Sequence, residues 1–210
     1  MNIYNKATLQ QAYNNFADQR ERSDLADWKV QERENFLALL TQEGKNAFLE
    51  IGAGTGHDSL YFQQQGLDVT AVDFSEEMIR LCKEKGLNAQ LMDFTELDFP
   101  DEAFDAVQAM NCLLHVPKAQ LDAVLLEIRR VLKPSGLFFL GIYGGQDSEG
   151  IWENDSYEPK RFFAMYEDEA IKKIVQRRFK LEDFHTVNMD PGTPHFQSLL
   201  LRKIEQNNGQ

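Results

Sequence analysis

A chain of 210 residues is long enough to bury one sizeable core, and its 42% apolar and 27% charged residues exclude the fibrous and disordered classes. A net charge of −12 counts against nucleic acids and anionic membranes as partners, because phosphate binding draws on a basic stripe, and the short clusters Arg129-Arg130, Lys172-Lys173 and Arg177-Arg178 sit among acids. No apolar run nears the ~20 residues of a membrane span. MNIYNKATLQQAYNNF lacks the basic-then-apolar start of a signal peptide, and Cys82 and Cys112 make neither a disulfide framework nor a zinc spacing. A cytoplasmic protein with two buried thiols and no metal is therefore expected.

The first 45 residues are polar and read as helices, with Leu25, Trp28, Phe36, Leu37 and Leu40 at helical spacing, Ser23 as an N-cap and Gly44 as a stop. From Lys45 strands and helices alternate. AFLEI (47–51) is a short apolar strand before glycines, and HDSLYFQQQ is a helix ended by Gly66. LDVTAVDF (67–74) is a second strand; Ser75 caps EEMIRLCKEK, whose first-turn acids suit the helix dipole. LNAQLMDF (87–94) and FDAVQAM (104–110) are the third and fourth strands. Pro117 opens a helix with Leu121, Val124, Leu125, Ile128 and Leu132 on one face; it ends at KPSG, before a fifth strand, LFFLGIY (137–143).

This alternation predicts a parallel sheet with helices on both faces. FKLEDFHTV (179–187) and HFQSLLLR (195–202), around the turn signal MDPGTP, predict a closing antiparallel hairpin. In such sheets ligands bind beyond the carboxyl ends of the strands. The division expected is a helical cap over 1–45, part of the same domain as a binding core over 46–204, with a frayed tail over 205–210.

The segment between the first strand and its helix is Glu50-x-Gly52-x-Gly54-x-Gly56. No lysine follows the glycines, so it is not a phosphate-binding P-loop; a dinucleotide loop would need a third glycine where His57 stands. The acid followed by alternating glycines resembles motif I of the S-adenosylmethionine (SAM)-dependent methyltransferases with the Rossmann-like seven-stranded fold. Asp73 closing the second strand, Asp93 in LMDF, and LHVPKAQLDAVLLEIRRVLKPSG after the fourth strand extend the resemblance from about Phe48 to Arg202.

The resemblance implies an α/β three-layer sandwich with a mostly parallel sheet in the order 3-2-1-4-5-7-6, SAM as cofactor and S-adenosylhomocysteine (SAH) as product. It places the cofactor on Glu50, Gly52, Ala53, Gly54, Gly56, Asp73, Phe74, Met92, Asp93, Phe94 and Asn111. Asp73 would hold the ribose hydroxyls, since a carboxylate accepts both hydrogen bonds of a diol. Asp93 would accept from the adenine amino group, between the apolar walls of Met92 and Phe94. After the fourth strand, Asn111-Cys112-Leu113 lacks the signature of the amino-methylating DNA and glutamine enzymes, and Cys112 lacks the proline preceding the cysteine of the cytosine C5 enzymes.

His115 is the candidate general base by position, against a packing role. The segment AYNNFADQR resembles one that closes over SAM in the family and nominates Tyr13, Phe16 and Arg20. The long segment 144–169 is a candidate lid, with Trp152, Tyr157, Arg161 and Phe162 as substrate candidates. The acceptor is expected to be a small molecule. The alternatives weighed are a non-catalytic SAM-binding protein of the same fold, a macromolecular methyltransferase and an NAD(P)-dependent oxidoreductase; oligomeric state has no sequence signal.

Overall fold

A computed structural model describes residues 4–189 and 193–204. Helices α1 (Lys6–Glu21) and α2 (Asp27–Gln42) precede β1 (Ala47–Ile51), α3 (His57–Gln64), β2 (Asp68–Asp73), α4 (Glu76–Glu84) and β3 (Asn88–Leu91). Then follow β4 (Phe104–Met110), a single 3-10 turn (Leu113–His115), α5 (Lys118–Val131) and β5 (Leu132–Gly144). The chain continues through β6 (Ser148–Ile151), β7 (Phe162–Met165), α6 (Asp168–Val175), β8 (Phe179–Val187) and β9 (His195–Lys203).

Seven strands form one sheet in the order β3-β2-β1-β4-β5-β9-β8. The pairings from β3 to β5 are parallel, and β9 is antiparallel to both β5 and β8. This is the predicted order once the two strands of a separate small sheet, β6 and β7, are counted.

Period-two alternation builds the layers. Leu49 and Ile51 of β1 join Val107, Phe138 and Leu140 under α5 and α6. Phe48 points the other way, into a cluster with Phe36, Leu40 and Phe62 from α2 and α3. Helix α4 packs Ile79 and Cys82 on Ala71 and Ala89. The other side of α4, at Met78 and Leu81, receives Ala17 of α1, which puts α1 at the sheet's C-terminal edge rather than on a face. No helix among the described residues is long and apolar enough to cross a membrane.

Four details depart from the sequence reading. Ser23 does not cap α2: its hydroxyl donates to Gln19 O, closing α1, and Ala26 occupies the cap position with no side-chain bond. KPSG does not precede β5 but lies inside it, across a bulge opposite Phe104 and Ala106. Strand β3 stops at Leu91, two residues short of Asp93. The segment 144–169 is not an open loop, because Ser148–Ile151 and Phe162–Met165 pair with each other. The frayed tail and part of the MDPGTP turn, residues 190–192, lie outside the described residues.

Candidate functional site

The site begins where β1 ends. Gly52 and Gly54 hold φ of +67° and +56°, in the left-handed region that side chains avoid. A Cβ on Gly52 would stand 2.3 Å from Cys112 Cβ, so this glycine lets the loop lie against the turn after β4. A Cβ on Gly54 would meet only Arg20 Nη2, at 3.8 Å; its face is open.

That face looks into a cavity of about 300 Å³ walled by the loop 52–55, Phe16, Arg20, Lys29, Met110, Asn111 and Tyr157. A second compartment of about 40 Å³ adjoins it, bounded by Tyr13, Asp73, Phe74, Phe94 and His115. The two share Arg20, Gly52, Gly54, Met110 and Asn111.

The acids are set by burial. Asp73 accepts the Gly54 N–H on one oxygen and the Ser75 N–H on the other, both at 2.9 Å, and burial pushes its pKa up to about 6. Each oxygen keeps a further acceptor site. Glu50 accepts from Ser59, and burial, with the Asp58 carboxylate beside it, pushes its pKa up to about 8. Burial also raises Asp58, against the pull of Arg33, whose Nη1 lies 3.2 Å away; Gln108 Nε2 donates to its other oxygen at 3.1 Å. Asn111 holds φ +55° with its N–H bonded to Gly141 O at 2.7 Å, and its Oδ1 is buried with no hydrogen-bond partner among the described residues. A buried carbonyl without a donor costs about 1–3 kcal/mol, which a bound donor relieves.

Helix α1 roofs the strand ends. Gln10 Nε2 donates to Phe74 O at 2.6 Å, Ser75 Oγ donates to Asn14 Oδ1 at 2.6 Å, and Lys6 pairs with Asp93. Residues 155–161 lie on α1 in turn. Tyr157 stacks on Phe16 at 4.2 Å, carries the Arg161 guanidinium 3.5 Å above its ring, and accepts from Arg20 Nη1 at 3.0 Å. Arg161 forks onto the two oxygens of buried Asp155 at 2.8 Å each and donates to Tyr13 Oη at 3.2 Å.

Tyr13 and His115 form a fixed pair. The Phe162 carbonyl, 2.7 Å from Nδ1, can only accept, so Nδ1 carries the proton; Nε2 then accepts from the Tyr13 hydroxyl at 2.6 Å. Burial lowers the His115 pKa to about 3 and keeps the ring neutral.

Of the residues nominated from sequence, Glu50, Gly52, Ala53, Gly54, Asn111, Phe16, Arg20 and Tyr157 line the larger cavity. Asp73, Phe74, Phe94, Tyr13 and His115 line the smaller. Gly56 starts α3 behind the loop. Met92 and Asp93 are not brought in: they border a surface groove beneath Lys6 and Gln10, with Phe74 between the groove and the site. Trp152 is also elsewhere, packed edge-on against Phe163. Phe162 contributes its carbonyl, while its ring packs on Tyr4. Cys112 is a packing residue whose buried thiol donates to Ile51 O at 3.1 Å; burial raises its pKa. Sequence reading missed Lys29, Arg33, Asp58 and Gln108, which carry no local motif.

The sheet order, the glycine loop and the acid closing β2 define the fold of the class I SAM-dependent methyltransferases, and this chain has it. Residues 49–140 match the family model described as a methyltransferase domain. Over 122 residues the chain is 34% identical to a sterol 24-C-methyltransferase of Gibberella zeae, which covers 54% of this chain and 31% of the relative. Over 96 residues it is 42% identical to a phosphatidylethanolamine N-methyltransferase of Cereibacter sphaeroides, covering 42% and 46%. The chain thus spans less than half the length of these two relatives. Among solved structures it is similar to the 1,6-didemethyltoxoflavin-N1-methyltransferase of Burkholderia thailandensis with bound 1,6-didemethyltoxoflavin and SAH. That likeness has a TM-score of 0.72 and 21% identity, and covers 95% of this chain and 88% of the other.

The residues present fit SAM. Gly54 offers a bare backbone face, Asp73 offers fixed acceptors for a diol, and Asn111 Oδ1 waits for a donor. The Asp93 carboxylate lies outside both compartments, paired with Lys6 and accepting the Thr95 N–H at 2.9 Å.

Proposed function

We propose that this protein is a cytoplasmic SAM-dependent methyltransferase with a small-molecule acceptor. The observation that carries the reading is the convergence of Gly54, Asp73 and Asn111 on one divided cavity at the C-terminal edge of β1, β2 and β4. SAM supplies an electrophilic methyl carbon, which the acceptor attacks in line as the carbon–sulfur bond breaks and its electron pair passes to sulfur, leaving SAH.

The chain's own part is to bind, orient and exclude water. Asp73 and the glycine loop hold the ribose and methionine parts. Glu50 is protonated below about pH 8 and ionises most readily beside a cation, which suits an ammonium group in the larger cavity. Helix α1 and residues 155–161 close the top. His115 is neutral, with Nδ1 donating to Phe162 O and Nε2 accepting from Tyr13, so it offers no free basic nitrogen in this arrangement and holds the Tyr13 hydroxyl with the phenolic oxygen turned toward Arg161. The acidity of the chain and the modest cavity favour a small acceptor over RNA.

Calorimetric titration with SAM, SAH and NADH tests the reading, on wild type and on Asp73→Ala. Binding of both sulfur compounds, lost in the variant and absent for NADH, is the expected result. Binding of NADH alone would move the protein to the oxidoreductases. Tight SAM binding with no methyl transfer across a broad acceptor panel would leave a non-catalytic binding protein.

A further inference from the structure

We infer that the methyl acceptor is a small anion with a flat apolar body, its negative charge held by Lys29; this rests on the methyltransferase reading and narrows it. The chain has 34 acidic residues to 22 basic ones, so most cations that need an acid partner find one. Lys85 pairs with Glu21, Arg161 with Asp155, Arg178 with Asp122 and Arg202 with Glu43. The two cations that line the larger cavity do not. Lys29 makes no ion pair among the described residues and lies 5.4 Å over the Trp28 ring. Arg20 makes no ion pair among the described residues; it donates to the Tyr157 hydroxyl and lies 5.7 Å over the Tyr13 ring.

The cavity's acids offset these charges only in part. Glu50 is matched to the cofactor's ammonium group, Asp58 is shared between Lys29 and the hydrogen-bonded Arg33 and Gln108, and Asp24 is exposed at the rim. Burial and the nearby Arg20 charge lower the Lys29 pKa more than the Asp58 carboxylate raises it, an imbalance that a bound anion relieves.

The cofactor's own carboxylate does not use up this surplus. Arg20 stands beside Gly54 and lines both compartments, whereas Lys29 lines only the larger one. One cation therefore serves the cofactor, whose net charge is itself positive, and the other is left for the acceptor. The adjoining walls are apolar and flat: Phe16 stacked on Tyr157, with Leu25 and Met110. A planar anion fits such a surface, by stacking on one side and charge on the other.

Titration of the SAH-saturated protein with 4-hydroxybenzoate and its neutral isostere 4-hydroxybenzamide tests this. The acid is expected to bind at least about tenfold more tightly than the amide. Lys29→Met should erase that difference and Lys29→Arg should restore most of it, while SAH affinity changes by less than about twofold because the cofactor keeps its own contacts. Equal binding of the pair, binding of neither, or an acid preference that survives Lys29→Met would overturn the proposal. Failure of SAH itself to bind wild type would instead remove the methyltransferase reading, and the acceptor class with it.

Discussion

Two glycines in one loop do different work. At Gly52 a methyl group would enter Cys112, so Gly52→Ala is expected to destabilise the fold by about 3 kcal/mol, from overpacking added to left-handed strain. At Gly54 the methyl group meets open space, and Gly54→Ala should cost only about 1 kcal/mol. It should nevertheless weaken SAH binding as much as Gly52→Ala weakens folding. Melting temperatures and SAH calorimetry on the two variants separate the cases; equal melting losses would mean that the loop is not divided this way. The motif itself is legible in sequence because all of its parts lie within seven residues. Which glycine faces ligand is not, since that depends on Cys112, sixty residues on. The same holds for Asp58 with Arg33 and with Gln108, 25 and 50 residues apart, and for Tyr13 with His115, 102 apart.

At the scale of elements, the strands and helices of the core follow from local periodicity, and β4 was predicted to the residue. The segment between β5 and α6 was not, because ten residues of turn-forming and acidic sequence separate β6 from β7 and mask their pairing. Its inner half lies on α1 through Tyr157 and Arg161, and Arg161 is itself set by an ion pair with Asp155 inside the segment. Arg161 and Asp155 have side chains only 12% and 2% exposed, so Arg161→Ala strands a buried carboxylate. A loss of about 3–5 kcal/mol is expected. The double variant Arg161→Ala with Asp155→Ala should lose less than Arg161→Ala alone, since no charge is left stranded. Urea unfolding of the set reads this directly, and a double variant weaker than the single would show that a stranded Asp155 carboxylate is not what sets the cost.

Across the whole molecule, the titrating groups set an unusual pH dependence. Glu50, at about 8 in the folded state, keeps a proton that the unfolded chain releases near 4.5. Stability therefore falls as pH rises from about 4.5 to 8, by up to about 1.4 kcal/mol per unit. Asp73, at about 6, acts in the same direction over a narrower window. So does His185: burial opposes its charge, but Glu32 and Asp183 outweigh burial and raise its pKa, so its contribution is present at low pH and lost as pH rises through the folded value. His115 and Glu43 work the other way: burial lowers His115 to about 3, so its contribution is lost as pH falls below about 6.5, and Glu43, lowered by Arg202, loses its own as pH falls below its ordinary range. Melting temperature should peak near about pH 5 and decline toward pH 8, with Glu50→Gln flattening the decline. A melting temperature that climbs from pH 5 to 8 would contradict these assignments.

Strand β9 lies between β5 and β8, with Phe196, Leu199 and Leu201 buried and its register fixed over eight residues of β5. One flank of the sheet thus stays open until the chain has been made through Lys203. On the ribosome, β1 to β5 emerge first and can pair among themselves, but β5 then presents an unpaired, strongly apolar edge. The half that carries the glycine loop can assemble early; the half that covers the β5 edge waits for β9. A nascent chain stalled before that point is the form of this protein most exposed to aggregation, and shielding that edge is where a chaperone would act.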